Sequence, residues 1–465
     1  MKHDPHGYWL EEAPRAEPVP ALSGFVQADV LVVGGGYTGM WTAWHALAAE
    51  PGARVALVEA DRCGHGPSGR NGGFVNSLWL SFENLSRRFG ERSALEIGRV
   101  SAESVDEIGR FCSEQGVDAW YRKSGYMQVS GAPAQDAALA AIASSVARAG
   151  GDDLVTLLDP GQVARRCSSP RFRGGALFAD AATVQPARLA LGLRARLLEA
   201  GVAIFERSPV RALTETSAGV EARTEHGTVS APRAVLAFGG AAARSGSPFR
   251  NALTVTSSHM VVTEPVGDLL EEIGWTGGEA ISDSRDLVHY LRTTEDGRIA
   301  FGWGGGRLAV GGRLGGVAEL DPEVVSQVAA SIRRFFPSLE RRRLTNAWGG
   351  PIDVSPTHLP AVVSTPGGRA WAAFGYTGNG VGPSQMLGRT LASLALDRRD
   401  RHSRLGFVDP PHSAVPPEPF RYAGGTAIRA GLLRKERAEE EGRRPSATSR
   451  ALSAVPELIG FHIGR

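Results

Sequence analysis

The chain of 465 residues contains few cysteines, very few lysines and almost no net charge. Its three cysteines, at positions 63, 112 and 167, have neither disulfide-framework nor metal-site spacing, which predicts a reducing, cytoplasmic setting and no bound metal. A net charge of +2 gives no general attraction to nucleic acid. The lysines are Lys2, Lys123 and Lys435, so arginine carries nearly all of the positive charge.

The sequence also lacks a recognisable secretory signal and a clear membrane span. Residues 1–27 contain no basic region followed by an apolar core. The most apolar window, residues 28–49, is interrupted by a glycine turn between a strand-like half and a helix-like half, which favours nucleotide binding over a membrane span. We therefore expect a globular protein without a membrane partner, long enough for two domains.

The strongest pattern lies in residues 28–59. Ala28–Val33 and Arg54–Glu59 are short apolar runs that predict buried parallel strands, and Tyr37–Ala49 between them predicts a helix. The turn before this helix has the form G-x-G-x-x-G, whose glycines allow a tight turn, close approach to a pyrophosphate and close packing of helix on strand. Glu59, about 20 residues further on, is placed to accept hydrogen bonds from a ribose. These residues predict a bound dinucleotide and leave NAD and FAD both open.

The rest of the chain alternates between two kinds of pattern. Residues 174–240 resume alternating helix and strand, whereas residues 252–345 contain strands with long connections that suggest an antiparallel sheet. Residues 427–441 predict a helix in the tail. We therefore expect a discontinuous first domain (residues 25–85, 174–245 and 346–400), a second domain (residues 86–173 and 246–345) and a helical tail (residues 401–465).

Three further segments carry a family resemblance. The loop of residues 66–73, the block of residues 348–353 and the closing glycine loop of residues 375–382 resemble FAD-dependent amine and amino-acid oxidoreductases with the D-amino-acid-oxidase-like fold. Within that family they look most like the γ-glutamylputrescine-oxidase-like branch. The resemblance implies an α/β fold, in which a Rossmann-type FAD-binding domain is interleaved with an antiparallel-sheet substrate domain.

The resemblance also assigns residues to the cofactor. The first glycine loop and Glu59 would bind the ADP half of FAD, and Val210 would contact the adenine through its backbone. The closing loop would face the flavin at N1 and C2, where backbone donors stabilise the charge of the reduced ring. Arg70 stands where some relatives carry a histidine bonded covalently to flavin, so we expect non-covalent FAD. The expected FAD-binding residues are Gly34, Gly36, Tyr37, Thr38, Gly39, Glu59, Arg70, Asn71, Gly72, Gly73, Val210, Gly378, Asn379, Gly380, Val381 and Gly382.

The block at residues 348–353 bears on the substrate. Relatives that oxidise free amino acids place an arginine in a turn here, where its guanidinium fork holds the substrate carboxylate. The matching turn is Trp348-Gly349-Gly350-Pro351, and Gly350 replaces the arginine. The resemblance therefore implies oxidation of an amine, or of a larger compound whose anionic group lies elsewhere, by hydride transfer to flavin N5 and hydrolysis of the resulting imine.

Four residues are candidates for the chemistry at the substrate. His259 would accept the amine proton, and a buried structural histidine is the alternative interpretation. Tyr290 and Arg292 lie on one face of a predicted strand, and Arg292 would bind an anionic group unless it forms an ordinary salt bridge. Trp348 would wall the flavin or an aromatic substrate unless it is a core residue.

Several alternatives stay open at the level of sequence. Some relatives use a lysine near the flavin to promote reaction with oxygen, and none occurs between residues 124 and 434. Both an oxidase that produces H2O2 and a dehydrogenase are therefore compatible with the sequence. The alternative functions are an amino-acid oxidase or dehydrogenase and a non-catalytic flavin- or NAD(H)-binding subunit. The expected partners are a small amine and O2. The protein is expected to be either a monomer or a homo-oligomer.

Overall fold

The computed structural model describes residues 1–151, 153–244, 246–411 and 414–462. One of its two main sheets, called the parallel sheet here, has six strands, and the last of them runs antiparallel to its neighbour. Two adjacent strands of this sheet, Val30–Val33 and Val55–Val58, are entirely apolar and rich in valine, as expected for strands covered on both faces. In spatial order the strands are Ala203–Phe205, Val55–Val58, Val30–Val33, Arg233–Leu236, Ala370–Phe374 and Ala361–Ser364.

The second main sheet, called the large sheet, has nine strands and is mostly antiparallel. Two of its pairings are parallel, at Lys2–His3 and at Ala280–Asp283. The long pair formed by strands Thr254–Thr263 and Leu344–Val354 keeps its register over most of its length. Alternate residues of the two strands therefore share one face, and this face meets the cavity described below. In spatial order the strands are Lys2–His3, Leu344–Val354, Thr254–Thr263, Ile299–Trp303, His289–Thr293, Ala280–Asp283, Tyr126–Val129, Gly175–Phe178 and Val155–Leu158.

Helices and two smaller sheets complete the fold. A four-stranded sheet packs against one face of the parallel sheet. None of the helices in the described ranges is long and apolar enough to cross a membrane. The smaller sheets consist of Ala212–Glu215, Val220–Arg223, Gly227–Ala231 and Gly24–Gln27, and of Phe74–Val75 and Ala182–Thr183. The α-helices are Gly7–Glu12, Tyr37–Ala49, Pro67–Arg70, Phe82–Phe89, Glu91–Glu114, Asp136–Arg148, Pro160–Arg166, Pro186–Glu199, Gly267–Glu272, Pro322–Phe335, Val381–Ala395, Phe420–Glu440 and Ala447–Leu458.

The sheets suggest a division of the chain into domains. The strands of the parallel sheet all come from within residues 25–85, 174–245 and 346–400. Strands Gly175–Phe178 and Leu344–Val354, in contrast, pair within the large sheet. We therefore propose the predicted division with these two strands, and the N-terminal strand Lys2–His3, assigned to the second domain.

The structure corrects the predicted turn at residues 348–351. These residues lie inside strand Leu344–Val354, where Gly350 pairs with Ser258 and Pro351 with Ser257. The strand on the other side, Lys2–His3, pairs only with Asn346 and Ala347 in the described chain. Because Pro351 lies beyond that pairing, on an open edge, its missing N–H is tolerated.

Two predicted helices also differ in their bounds. Residues 82–116 have the apolar periodicity of a single helix that stops at Gly116, and the structure divides this stretch at Gly90, whose φ of 80° interrupts helical geometry. The tail helix begins at Phe420, well before the predicted residue 427, because Gly424 and Gly425 continue it instead of breaking it. A Cβ at Gly425 would overlap Leu308, so this glycine allows close packing of the helix on its neighbour.

Candidate active site: a cavity between the two main sheets

One cavity of about 1440 Å³ connects the glycine loops of the parallel sheet to one face of the large sheet. It is lined by both predicted FAD loops, by the closing glycine loop and by alternate residues of strand Thr254–Thr263. The cavity therefore joins a place for a dinucleotide to a place for a substrate.

The first glycine turn has the geometry that a pyrophosphate requires. Gly34 has a φ of 111°, and a Cβ there would overlap the carbonyl of Ala237. A Cβ at Gly39 would overlap the carbonyl of Gly34, which explains the close packing of helix on turn. Gly36 is the N-cap of helix Tyr37–Ala49 and has no side chain of its own, and the N–H of Tyr37 in the first turn donates to the Ser68 hydroxyl. The N–H groups of that turn border the cavity, as expected for an anion site.

Glu59 lies at the end of the second parallel strand and lines the same part of the cavity. Its carboxylate accepts hydrogen bonds from the N–H groups of Gly35 at 2.7 Å and Asp61 at 2.8 Å. Burial raises the pKa of Glu59, and these two backbone donors act in the opposite direction. The carboxylate is thus held in place with further acceptor capacity for a ribose diol.

The second loop is ordered by its own side chains and by the N-terminal segment. The Asn71 amide donates to the Ser68 carbonyl at 2.8 Å, and its oxygen accepts the N–H of Gly73 at 2.7 Å. The Arg70 guanidinium donates to the carbonyl of Pro5 at 3.0 Å and forms an ion pair with Glu319 at 3.4 Å. A buried, positively charged side chain therefore borders the cavity with its charge balanced by Glu319.

The closing loop is tied to the first glycine turn. The Tyr376 and Thr38 hydroxyls lie 2.7 Å apart, so they join the two loops directly. Asp353 accepts the N–H of Gly375 at 2.6 Å, and burial raises its pKa to about 6. Gly380 is the N-cap of helix Val381–Ala395, and no side chain caps the first turn. A second helix N-terminus thus opens into the cavity.

Most of the predicted FAD residues line this cavity. Gly39, Gly73 and Gly382 do not, because each packs against backbone: a Cβ would overlap Gly34, Val184 and Asn76 respectively. The cavity-lining members are Gly34, Gly36, Tyr37, Thr38, Glu59, Arg70, Asn71, Gly72, Val210, Gly378, Asn379, Gly380 and Val381. Two glycine-capped helix N-termini, the carboxylate of Glu59 and a cavity that connects them fit an extended FAD.

Tyr290 and Trp348 lie on the cavity wall formed by the large sheet, and the Trp348 side chain is fully buried in a core cluster with Trp9 and Met260, in line with its alternative interpretation as a core residue. The Tyr290 hydroxyl lies 2.7 Å from Ser258 Oγ, and Ser258 in turn donates to the carbonyl of Trp303 at 2.9 Å. Because the single Ser258 proton is used in that bond, Tyr290 is the donor to Ser258. The Trp348 indole N–H donates to the carbonyl of Arg70 at 2.8 Å, which fixes its ring against the second loop.

His259 and Arg292 are placed away from the cavity. Side chains alternate along strand Thr254–Thr263, so Ser258 and Met260 line the cavity and His259 points to the opposite face. There His259 Nε2 accepts the N–H of Asp321 at 2.9 Å, and burial lowers its pKa to about 4. The guanidinium of Arg292 donates to the carbonyls of Gly73 and Val184, and burial lowers its pKa to about 10. Both geometries indicate structural roles in place of the substrate contacts predicted for these residues.

Gly350 faces open space in the cavity. A Cβ built at Gly350 meets no atom within 4 Å, whereas one at Gly349 would lie 2.7 Å from the carbonyl of Glu319. The φ of Gly350 is outside the left-handed region. A larger side chain at position 350 would therefore fit both the backbone and the cavity.

Three parts of the cavity wall were not predicted from the sequence. Ser68 accepts the N–H of Tyr37 at 2.9 Å, and its place in the second glycine loop could have indicated it. Ser258 could be predicted from the alternation of side chains along its strand once the face that meets the cavity is known. The third part is the tail, whose lining residues include Phe420, Ile428, Arg429, Phe461 and His462. Nothing in their spacing points to the cavity.

Comparison with known proteins gives consistent results. The sequence model of the DAO family, described as FAD dependent oxidoreductase, matches residues 29–394. The chain is 28% identical over 439 residues to gamma-glutamylputrescine oxidoreductase of Escherichia coli, covering 92% of this chain and 96% of that relative. It is 26% identical over 435 residues to the probable oxidoreductase OrdL of Rhizobium meliloti, covering 92% and 95%. The crystal structure of glycine oxidase from Geobacillus kaustophilus superposes with a TM-score of 0.69 at 20% identity, covering 83% of this chain and 100% of that one.

Proposed function

Because the chain belongs to the DAO family of FAD-dependent oxidoreductases, we propose that it oxidises the C–N bond of an amine. Bound FAD would supply the redox chemistry as the acceptor of a hydride, which carries both electrons away from the carbon beside a neutral amine nitrogen. The remaining proton leaves the nitrogen, and water hydrolyses the imine to a carbonyl compound and ammonia or a smaller amine. O2 is the proposed electron acceptor and would be reduced to H2O2.

We assign the stabilisation of the reduced cofactor to the closing loop. Negative charge develops on the pyrimidine edge of a flavin during reduction, and uncapped N–H groups at a helix N-terminus stabilise such charge. Gly380 and Val381 border the cavity at the start of helix Val381–Ala395. Stabilisation of the reduced flavin at its pyrimidine edge therefore requires no acid–base side chain.

We assign the positioning of the amine to the wall formed by Tyr290, Ser258 and Trp348. Tyr290 is fixed by its bond to Ser258, and its ring meets Phe74 edge-on at 5.8 Å. The Trp348 ring is fixed by its bond to Arg70. Rigid, mostly apolar walls exclude water and hold the reacting carbon in one orientation, which is the main contribution that a flavin enzyme must make.

The open position at Gly350 is the observation that carries the choice of substrate. Family members that act on free amino acids carry an arginine here to hold the carboxylate, and at Gly350 the space for that side chain is empty. An α-amino acid would bring a carboxylate into the cavity without this ligand. The similarity to a gamma-glutamylputrescine oxidoreductase also supports an amine-containing substrate.

We further infer that the FAD is held without a covalent bond. Arg70 occupies the position of the histidine that some relatives use for attachment, and its guanidinium is engaged with Pro5 and Glu319. The three cysteines of the described chain are buried and lie outside the residues that line the cavity. Acid precipitation should release all of the flavin into the supernatant, and yellow colour left in the pellet would contradict this.

A substrate screen tests the proposed reaction. Purified holoenzyme is incubated with polyamines, monoamines, secondary amines and α-amino acids, and H2O2 and the carbonyl product are measured together. We expect turnover with amines and little with α-amino acids, with peroxide formed in proportion to product. Turnover confined to α-amino acids would overturn the proposal. Product formed without peroxide would show that the electron acceptor is a compound other than O2.

A further inference from the structure

The tail helix Phe420–Glu440 lies beside the cavity, against loops at one end of the inner strands of the large sheet. Lys435 forms an ion pair with Asp286 at 3.0 Å, and Glu436 accepts the N–H of Leu287 at 2.8 Å. At the other end of the helix, Arg421 donates to the carbonyl of Arg250 at 2.8 Å. These contacts fix both ends of the helix relative to the sheet.

One face of this helix forms part of the cavity wall. Its lining residues recur at the three- and four-residue spacing of a single helical face. Arg429 lies in the middle of that face with its side chain partly buried. The lining residues on the helix are Phe420, Arg421, Gly424, Gly425, Ile428, Arg429 and Leu432.

The Arg429 guanidinium is held by two backbone carbonyls. Its Nε donates to Gly306 at 2.7 Å, and its Nη2 donates to Gly305 at 2.6 Å. The same glycine segment runs beside strand Thr254–Thr263, where the N–H of Arg307 donates to Ser257 Oγ at 3.1 Å. The guanidinium is therefore oriented from one side and is in position to offer further N–H groups to the cavity.

This arrangement places Arg429 on the opposite side of strand Thr254–Thr263 from Gly350. Gly350 pairs with Ser258 on one side of that strand, and the segment at Gly305 and Gly306 lies along its other side. The two positions are separated by about two strand spacings, roughly 10 Å. An anion at Arg429 would thus lie several bonds further along the substrate than an α-carboxylate held at position 350.

The charge of Arg429 is not balanced by a carboxylate. Of the arginines that line this side of the cavity, Arg70 is paired with Glu319 and Arg421 with Glu418. Within the described ranges no carboxylate forms an ion pair with Arg429, which bonds to carbonyl groups only. Partial burial lowers the pKa of Arg429 and the nearby charge of Arg307 lowers it further, whereas the carboxylate of Asp321, which is paired with Arg307, acts in the opposite direction. A bound anion would relieve the cost of this unpaired charge.

We propose that Arg429 is a specificity-determining residue that binds an anionic group at the far end of the amine substrate. The class of ligand is a chain with an amine at one end and a carboxylate or similar anion several bonds away. This inference rests on the proposed amine oxidation and adds the part of the substrate that does not react. It also gives the tail a function in substrate recognition.

Matched substrate pairs test the inference. The probes are straight-chain ω-amino acids and alkylamines of the same length, which differ only in the distal carboxylate. With wild-type holoenzyme we expect a higher kcat/KM for the ω-amino acid. Arg429→Gln should lower that preference by about 10- to 100-fold, as expected for loss of a charge-assisted hydrogen bond, mainly through KM. Its kcat/KM on the alkylamines should change much less than its kcat/KM on the ω-amino acids.

Two further variants separate recognition from folding. Arg429→Lys keeps the charge without the fork and should recover part of the preference. Leu433→Ala removes part of a tail side chain that packs against the core beneath the large sheet without changing any charge, and it should leave the preference intact. An unchanged preference in Arg429→Gln, or equal losses in Arg429→Gln and Leu433→Ala, would overturn the inference. If the wild type oxidised neither member of any pair, the proposed function itself would fail.

Discussion

Gly350 lies directly opposite Ser258 in the long central strand pair of the large sheet, and the space above its Cα is open. Ser258 in turn accepts the hydroxyl proton of Tyr290, so the empty position and the positioned tyrosine face the same cavity. This relationship connects the choice of substrate to the residues that orient it.

A guanidinium introduced at position 350 should restore a preference for α-amino acids. Gly350→Arg fits the backbone and the open space, and it would supply the carboxylate ligand that the native chain lacks at that position. We expect kcat/KM for α-amino acids to rise by about tenfold or more, the effect of one charge-assisted hydrogen bond, while turnover of simple amines falls. Gly350→Gln is the control of similar length, and an equal gain in both variants would show that charge is not responsible.

Removing the charge of Glu59 should weaken the binding of FAD. Glu59→Gln keeps the shape of the side chain but loses a charged acceptor that two N–H groups already hold in place. We expect the Kd of the apoprotein for FAD to rise by about 10- to 100-fold in a titration followed by flavin fluorescence. Glu221→Gln, at an exposed position of the four-stranded sheet, is the control and should have no effect. An unchanged Kd in Glu59→Gln would remove this carboxylate from the cofactor site.

The bond between Tyr290 and Ser258 should matter for turnover more than for cofactor binding. Tyr290→Phe leaves the ring in contact with Phe74 and removes the donor to Ser258. We expect kcat to fall by about tenfold with full FAD content, since the ring is less well oriented. Ser258→Ala should have a similar effect, and the double variant should lose little more. Fully additive losses would show that the two residues act separately.

His259 should contribute to stability and not to the pH dependence of turnover. Burial lowers its pKa to about 4 from 6.5, so below pH 6.5 the unfolded chain binds a proton that the folded chain does not. This part of the stability is present above pH 6.5 and is lost as the pH falls towards 4. His259→Gln should therefore gain stability relative to the wild type as the pH falls, by about 1 kcal/mol per pH unit.

Unfolding midpoints of the wild type and His259→Gln across this pH range measure that difference. The comparison isolates one histidine, although burial also lowers the pKa of His45 to about 3 and that of His402 to about 4. The pH profile of kcat/KM should be the same for both proteins. If the fall of kcat/KM towards low pH disappeared in His259→Gln, this residue would again be a catalytic candidate.

The parts of the fold with local signals were predictable from sequence. Helix Tyr37–Ala49 has the predicted bounds, because its apolar residues and the glycine turn before it define it locally. The turn predicted at Trp348–Pro351 was wrong, since pairing with a distant strand overrode the turn preference of Gly-Gly-Pro. The packing of the tail against the cavity depends on contacts between residues far apart in the chain, which no local pattern records.

The candidate site also has one part that local sequence patterns predict and another part that depends on contacts between distant residues. Glycine spacing and Glu59 located the dinucleotide part, because each glycine has a separate steric role near a turn. His259 and Arg292 were reasonable by residue type, but the face of a strand that meets a cavity is set by tertiary packing. Arg429 was missed because its role depends on which carboxylates lie near it, and that is a property of the folded chain.

Anaerobic reduction of the bound flavin by single substrates tests the central claim most directly, because it does not depend on the electron acceptor. Wild-type holoenzyme is mixed with excess amine or α-amino acid without oxygen, and the visible absorption of the flavin is followed to completion. The account predicts that amines bleach the oxidised flavin in a single turnover while small α-amino acids leave it oxidised. Bleaching by α-amino acids alone, or by neither class, would contradict it.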